Sequence, residues 1–444
     1  MKSIGILALL WLLVALPVHS GEPTSTGRFS HDQLIGYAAR YGTPLYVYDG
    51  DLIERKFTEF KQAFDKVYPR TRFYYALKAN TSLAIVSILR NLGAGAECIS
   101  RGEIEIALRL GWKGPNILFT SSSKSPDDLA LAVRRGVTVN LDSLGDLDNL
   151  IRTAEKLRRK VRISFRINPD VDPKTHRHIA TGHKFSKFGI LADGDEVIRA
   201  YRKAKECRWL QICGIHSHIG SQILDLEPFS RNVELVTSTV KRLKKELGID
   251  LEFIDLGGGL GIPYEDGKAP LAPEAMAQRV AGRIRAELEG QGPLPTLALE
   301  PGRYFVAQSG LLIARVNSVK HTPFKHFINV DTGFNHLVRP LLYEAYHRVR
   351  VLGGSGPTQT YDLAGNICET GDILAQDRVL PTPKVGDCVA FLDAGAYGFS
   401  MASEYNSIPL PAEILVRGKR VAQIRRRGTL DDLLRNQSIP KDLR

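Results

Sequence analysis

Between residues 72 and 303 short runs of apolar, β-branched or aromatic residues alternate eight times with longer stretches of helix-like periodicity, and each run ends in polar residues or glycine. The runs are Arg72 to Lys78, Gly93 to Ser100, Asn116 to Ser122, Thr138 to Ser143, Arg162 to Pro169, Gln211 to Ser221, Leu251 to Gly259 and Thr296 to Arg303. Eight strand–helix units in series predict an α/β chain with a (β/α)8 barrel of the TIM type, in which chemistry gathers at the C-terminal ends of the strands.

The flanks read differently. Pro44 to Tyr48 is strand-like, and a helix follows from about Asp51, with Ile53, Phe57, Phe60 and Phe64 on one face. After residue 305 strand-like runs dominate: Leu311 to Val316, Phe327 to Val330, Cys388 to Leu392 and Glu413 to Val416. This predicts a separate, mainly β domain over 305–444, joined by residues 31–49 from the other side of a barrel spanning 50–304. Residues 21–30 read as a linker. At the N-terminus, Lys2, the apolar run Ile4 to Leu16 and the modest residues Val18-His19-Ser20 before Gly21 have the form of a cleavable export signal over residues 1–20, too short for a comfortable span. Export, to the periplasm, is the expectation, with cytoplasmic residence as the alternative; no stable membrane insertion is expected.

Composition narrows the function without choosing it. A chain of 444 residues with 43% hydrophobic and 24% charged residues is an ordinary folded body of enzyme size. The net charge of +12 points to anions of some kind. The basic runs Arg158 to Lys160, Lys241 to Lys245 and Arg425 to Arg427 lack the interleaved aromatics of a nucleic-acid reader, so solvated faces are the better reading and no nucleic-acid partner is expected. Five cysteines, without a C-x-x-C pair or a histidine cluster at zinc spacing, indicate neither a disulfide framework nor a structural metal.

Candidate chemistry lies at the strand ends. Lys78 closes the first run in Tyr74-Tyr75-Ala76-Leu77-Lys78-Ala79-Asn80; an ammonium desolvated in the barrel mouth would have a lowered pKa and could form an imine with an aldehyde, though a strand-end lysine can equally lie along the surface. Gly257-Gly258-Gly259 follows strand seven and Glu300-Pro301-Gly302-Arg303 follows strand eight, where barrels commonly build phosphate sites; a tight turn is the plainer alternative for the glycines. Glu300, facing a pyridine nitrogen, would keep such a ring protonated, or it could pair with Arg303. His218, within His216-Ser217-His218-Ile219-Gly220-Ser221, could lie on a cofactor ring while Ser221 reaches a phosphate, or be a satisfied core histidine.

Together with Arg339-Pro340-Leu341-Leu342-Tyr343, Cys368-Glu369-Thr370-Gly371-Asp372 and Asp393-Ala394-Gly395-Ala396-Tyr397-Gly398, these motifs resemble those of diaminopimelate decarboxylases, pyridoxal-phosphate enzymes of the alanine-racemase-like class, from about Phe29 to about Arg417. The resemblance implies pyridoxal 5'-phosphate as cofactor and decarboxylation of meso-2,6-diaminopimelate to L-lysine. By it, Lys78 is the Schiff-base lysine, His218 stacks on the ring, Ser221, Gly257, Gly258, Gly259 and Tyr397 hold the phosphate beside Gly302 and Arg303, and Glu300 faces the ring nitrogen. It further implies a homodimer with shared sites, in which Cys368 and Glu369 enter the partner's site, and contacts from Arg303, Arg339, Tyr343, Glu369 and Tyr397 to the amino-acid substrate. Cys368 suits the part of proton donor, since a thiol with an ordinary pKa near ~8.5 is mostly protonated at neutral pH.

The sequence departs from that pattern at Cys98 and Arg101, at Glu404 and at Ile408 and Leu410, which puts substrate detail in question but removes no catalytic group. The competing functions are a decarboxylase of another basic amino acid or of carboxynorspermidine, a racemase, and an exported, catalytically silent homologue. Arg339 argues against substrates without a second carboxylate, and Lys78, Glu300 and Cys368 argue against silence.

Overall fold

A computed structural model describes residues 28–444 apart from 69, 174, 177, 178, 180 and 355. The export signal read over 1–20, and 21–27 of the expected linker, lie outside the described residues. Residues 28–30 are not linker: Phe29 is buried, Arg28 pairs with Asp49 and Asp51, and Ser30 caps the helix His31–Tyr41 in a reciprocal capping box. Among the described residues no helix is long and apolar enough to cross a membrane.

The eight runs form eight parallel strands: Thr71–Ala76, Gly95–Cys98, Ile117–Phe119, Thr138–Leu141, Val161–Asn168, Leu210–Ser217, Phe253–Asp255 and Thr296–Leu299. The sheet closes where Leu297 lies opposite Thr71. Each strand stops short of its apolar run, because the final residues turn away to line the barrel mouth. A further short strand, Ile190–Leu191, extends the fifth outside the barrel proper.

The second sheet runs in the order Ile373–Pro381, Thr358–Ala364, His326–Val330, Gly310–His321, Leu45–Asp49, Ala412–Arg417 and Arg420–Arg425, with Cys388–Phe391 and Val349–Leu352 branching from the long central strand. Leu45–Asp49 lies inside this sheet, antiparallel to Gly310–His321 and parallel to Ala412–Arg417, so the chain starts in the β domain, builds the barrel and returns. Burial on both faces explains its five-residue run without alternation.

The helix Gly50–Asp65 carries the chain from one sheet to the other. Asp49 caps it by accepting from the amides of Asp51 and Leu52 at 3.0 and 3.2 Å. Its apolar face delivers Phe60 against Phe64, Phe73, Tyr304 and Phe305, with ring centroids 4.8 to 5.7 Å apart. This cluster binds strand one to the segment after strand eight, at the seam of the barrel. Phe60→Ala is expected to destabilise the protein by about 3–5 kcal/mol through the lost contacts and the cavity left behind; chemical denaturation measures it, and a loss under about 1 kcal/mol would show that the seam does not depend on this ring.

Candidate active site

Lys78 lies two residues beyond strand one, in the single 3-10 turn Leu77–Ala79, and lines a cavity of about 190 Å3 at the C-terminal mouth of the barrel. Its ammonium donates to Glu97 Oε2 at 2.6 Å, from the neighbouring strand. Burial works to lower the lysine pKa, but Glu97, then Tyr397 and Glu300, outweigh it and raise the pKa above its ordinary value. The lowered pKa expected from position alone is therefore not found, because a carboxylate 19 residues further on reaches the same nitrogen. Burial pushes the Glu97 carboxyl up to about 7, against the attraction of Lys78. The ion pair fixes the Lys78 nitrogen at the cavity, and Lys78 must lose its proton before that nitrogen can attack a carbonyl.

Glu300, at the end of strand eight, also lines the cavity and is nearly fully buried. Its Oε2 meets His216 Nε2 at 3.3 Å, so its partner is a histidine and not Arg303. Burial would raise its pKa, but His216, Lys78 and Arg166 together hold it below the usual carboxylate value, whereas burial lowers the pKa of His216. Glu300 is thus held as a buried anion, with His216 and the Asp255 carboxyl as its hydrogen-bonded neighbours.

His218 accepts the Gly258 amide at Nδ1, 3.2 Å away. Burial, reinforced by Arg166, Lys78 and His216, drives its pKa well below the ordinary value. It is a neutral ring with its proton on Nε2. Of the three glycines, Gly258 and Gly259 line the cavity, whereas the Gly257 amide turns back to Asp255 Oδ1 at 2.8 Å. Neither lining glycine can carry a side chain: a Cβ on Gly258 would lie 2.3 Å from the Glu300 carbonyl oxygen, and one on Gly259 2.7 Å from that of Gly220. Ser221, Gly302, Arg303, Tyr343 and Tyr397 complete the wall. Arg303 donates to Ser221 Oγ at 3.1 Å and to the Tyr264 hydroxyl at 2.7 Å, with its guanidinium carbon 4.9 Å from the centre of the Tyr397 ring.

Arg339 lines an adjoining cavity that shares Ile179, Arg303 and Tyr343 with the first. Cys368 and Glu369 line neither. Both are exposed, with the Cys368 amide on Asn406 Oδ1 at 3.2 Å and Glu369 accepting from Tyr405 at 2.7 Å. A wider hollow, about 370 Å3, opens at the opposite end of the barrel, but its basic groups are already engaged: Arg162 with Glu252, Arg72 with Asn116 and Arg70 with a backbone carbonyl.

Glu97, His216 and Tyr264 have chemistry in or beneath the site that went unassigned in the sequence. Glu97 is the penultimate residue of strand two, and the strand-end rule that singled out Lys78 reaches it as well; Tyr264 offers no comparable signal. The site thus assembles an amine, a cradle of backbone and guanidinium donors, and a buried anion. These suit an aldehyde that carries a phosphate and a basic ring nitrogen.

Comparison with known proteins gives the same chemistry. Residues 51–307 match a family model described as the pyridoxal-binding domain of pyridoxal-dependent decarboxylases. The chain is 42% identical over 409 residues to diaminopimelate decarboxylase from Methanothermobacter thermautotrophicus, covering 91% of this chain and 94% of that protein. It is 43% identical over 403 residues to the enzyme of that name from Archaeoglobus fulgidus, covering 90% and 94%. The crystal structure of diaminopimelate decarboxylase from Helicobacter pylori complexed with L-lysine superimposes with a TM-score of 0.84 at 39% identity, covering 90% of this chain and 98% of that one.

Borohydride reduction of the cofactor-loaded protein, followed by peptide mass spectrometry, is expected to find the cofactor fixed on Lys78, and Lys78→Ala to abolish both the label and turnover. Label on another lysine would remove Lys78 from its place in the site.

Proposed function

The chain belongs to the pyridoxal-phosphate-dependent diaminopimelate decarboxylases, and from that premise we propose how its own residues divide the work on meso-2,6-diaminopimelate, which loses one carboxylate as CO2 and becomes L-lysine. Bound at Lys78, pyridoxal phosphate supplies an electron sink for the pair left on the α-carbon. Glu300, an anion in the cavity wall, would keep the ring nitrogen protonated, and His218, being neutral, would lie beside the ring without opposing that charge. Gly258, Gly259, Ser221 and Tyr397, with Gly302 and Arg303 behind them, take the phosphate. Glu97 holds the Lys78 nitrogen in place.

The observation that carries the choice of substrate is a pair of buried guanidiniums without a counterion. Arg303 and Arg339 are 6% and 3% exposed, and neither has a carboxylate partner among the described residues. Buried charge of this kind is costly to leave unpaired. A substrate with a second carboxylate completes the pair, whereas lysine or ornithine would enter and leave the charge uncompensated. Arg339, with Arg303, Tyr343 and Tyr397 beside it, is accordingly assigned to the distal end of the substrate.

The proton that replaces CO2 needs a donor, and Cys368, which the resemblance gives that part, lies at the surface of its own chain. We assign it to Cys368 of a second copy, with Glu369 beside it, in a homodimer with shared sites. The support is the surface around the loop: Leu341, Leu342 and Tyr405 are 45%, 42% and 44% exposed, and a Cβ on Gly371 would lie 2.9 Å from Leu341 Cδ1. Apolar and aromatic exposure of this kind at a site's edge suits a subunit interface.

Arg339→Ala is expected to lower kcat/KM for meso-diaminopimelate by about 2–5 kcal/mol, the range for breaking a buried charge pair, while wild-type turnover of lysine is already poor; equal rates on both substrates would instead indicate a broad-specificity decarboxylase. For assembly, the inactive variants Lys78→Ala and Cys368→Ala are mixed under conditions of subunit exchange. A mixed dimer with shared sites has one doubly damaged and one intact site, so up to about a quarter of wild-type activity should return. No recovery despite demonstrated exchange would place Cys368 in its own chain's chemistry or remove it from catalysis.

A further inference from the structure

Two like charges held close together and away from water, with no anion between them, need something uncharged to fix them. Arg303 itself works to lower the Arg339 pKa, after burial, which does so most strongly. The groups that meet the two guanidiniums are nevertheless neutral ones. Arg303 donates to the hydroxyls of Tyr264 and Ser221. Arg339 donates to His347 Nε2 at 2.8 Å, and its guanidinium carbon lies 4.5 Å from the centre of the Tyr264 ring. Tyr264 in turn stands edge-on to His347, centroids 5.6 Å apart.

The charge state of His347 follows from its contacts. Its Nδ1 meets the Leu392 carbonyl at 2.7 Å, and a carbonyl can only accept, so the proton is on Nδ1. Its Nε2 meets an arginine N–H, which can only donate, so Nε2 carries a lone pair. The imidazole is neutral in one fixed tautomer. It is fully buried, and burial together with Arg339 pushes its pKa down to about 3. The tautomer is tied to the end of the strand Cys388–Phe391, because Leu392 continues it.

We infer that His347 is a positioning residue for substrate selection: it orients the Arg339 fork by accepting one hydrogen bond while leaving its charge free for the distal carboxylate, with Tyr264 as the second uncharged prop. An aspartate or glutamate in its place would hold Arg339 equally well but would neutralise it, and the subsite would then repel the group it is built to take. A neutral acceptor is the solution that fixes direction without cancelling charge. This rests on the reading that Arg339 meets the second carboxylate of the substrate.

The test compares His347→Gln, His347→Glu and His347→Leu in the cofactor-loaded enzyme, reading KM and kcat for meso-diaminopimelate, the visible absorption of the cofactor and the melting temperature. Glutamine can accept from Arg339 through its oxygen and donate to Leu392 through its amide, so it should stay within about threefold of wild type in both constants. Glutamate should raise KM by about tenfold or more with kcat and the visible spectrum little changed, the mark of lost substrate binding without lost chemistry. Should the glutamate variant not fold, the contrast between leucine, with KM raised, and glutamine, with KM restored, decides the matter. Equal KM values in all variants, or equal losses in glutamine and glutamate, would overturn the inference. Arg339→Ala run alongside separates the two ideas: if it leaves KM unchanged the distal-carboxylate reading has failed, and if it raises KM while every His347 variant matches wild type, only the role of His347 has.

Discussion

Ionised groups gathered in a low-dielectric barrel mouth each need a partner that fixes them, and the structure supplies two kinds. Where a nitrogen has to be held in place, opposite charges touch: Lys78 donates to Glu97. Where a charge has to be shown to a ligand, the hydrogen-bond partner is neutral: His347 beside Arg339, and Tyr264 with Ser221 beside Arg303. An ion pair in any of the latter places would be the more stable arrangement for the protein alone and the poorer one for binding. Asp255 is fully buried beside Glu300, and burial together with that carboxylate raises its pKa well above normal.

The β domain keeps this arrangement in place. The Tyr397 amide donates to the Ala79 carbonyl at 2.8 Å, Asn80 donates to the Gly395 carbonyl at 3.0 Å and Ser400 donates to Ala79 at 3.2 Å, so the turn that carries Lys78 is fastened to a loop that arrives more than three hundred residues later. Gly395 is required at that junction, because a Cβ there would lie 1.9 Å from the Val306 carbonyl oxygen. The chain therefore threads Leu45–Asp49 through the β sheet before it enters the barrel: both ends of the barrel sequence are anchored in the sheet that closes the mouth.

How much of this could be read from the sequence follows from how local each feature is. The eight strands were legible because a buried parallel strand is a continuous apolar run, and Lys78, Glu300 and the glycines were legible because they follow such runs. The strand ends were not, since residues that turn into the mouth remain as apolar as the strand itself. The direction of the Lys78 pKa was misread for want of its partner, which strand pairing alone brings near: Tyr75 lies opposite Ala96 and Ala76 opposite Glu97. Gly257 looked equivalent to its neighbours, yet its amide is taken by Asp255 two residues earlier. His347 and Tyr264 carry no pattern at all, because their importance lies in touching two guanidiniums, Arg303 and Arg339, that only the fold brings together.

Arg303 joins the two halves of the site. One arm of its fork ends on Ser221 in the cavity that contains Lys78, the other on Tyr264 beneath the cavity that contains Arg339. A planar guanidinium can make both bonds at once in fixed directions; a lysine ammonium in its place would supply the charge and lose the geometry. Because Tyr264 also faces the Arg339 guanidinium, the position of either arginine constrains the other through a ring that bears no charge. On the proposed assignment, recognition of the substrate's far end and placement of the cofactor's anionic end are therefore not independent adjustments. They share one rigid fork, and a sequence change that shifts one is felt at the other even where it touches neither ligand.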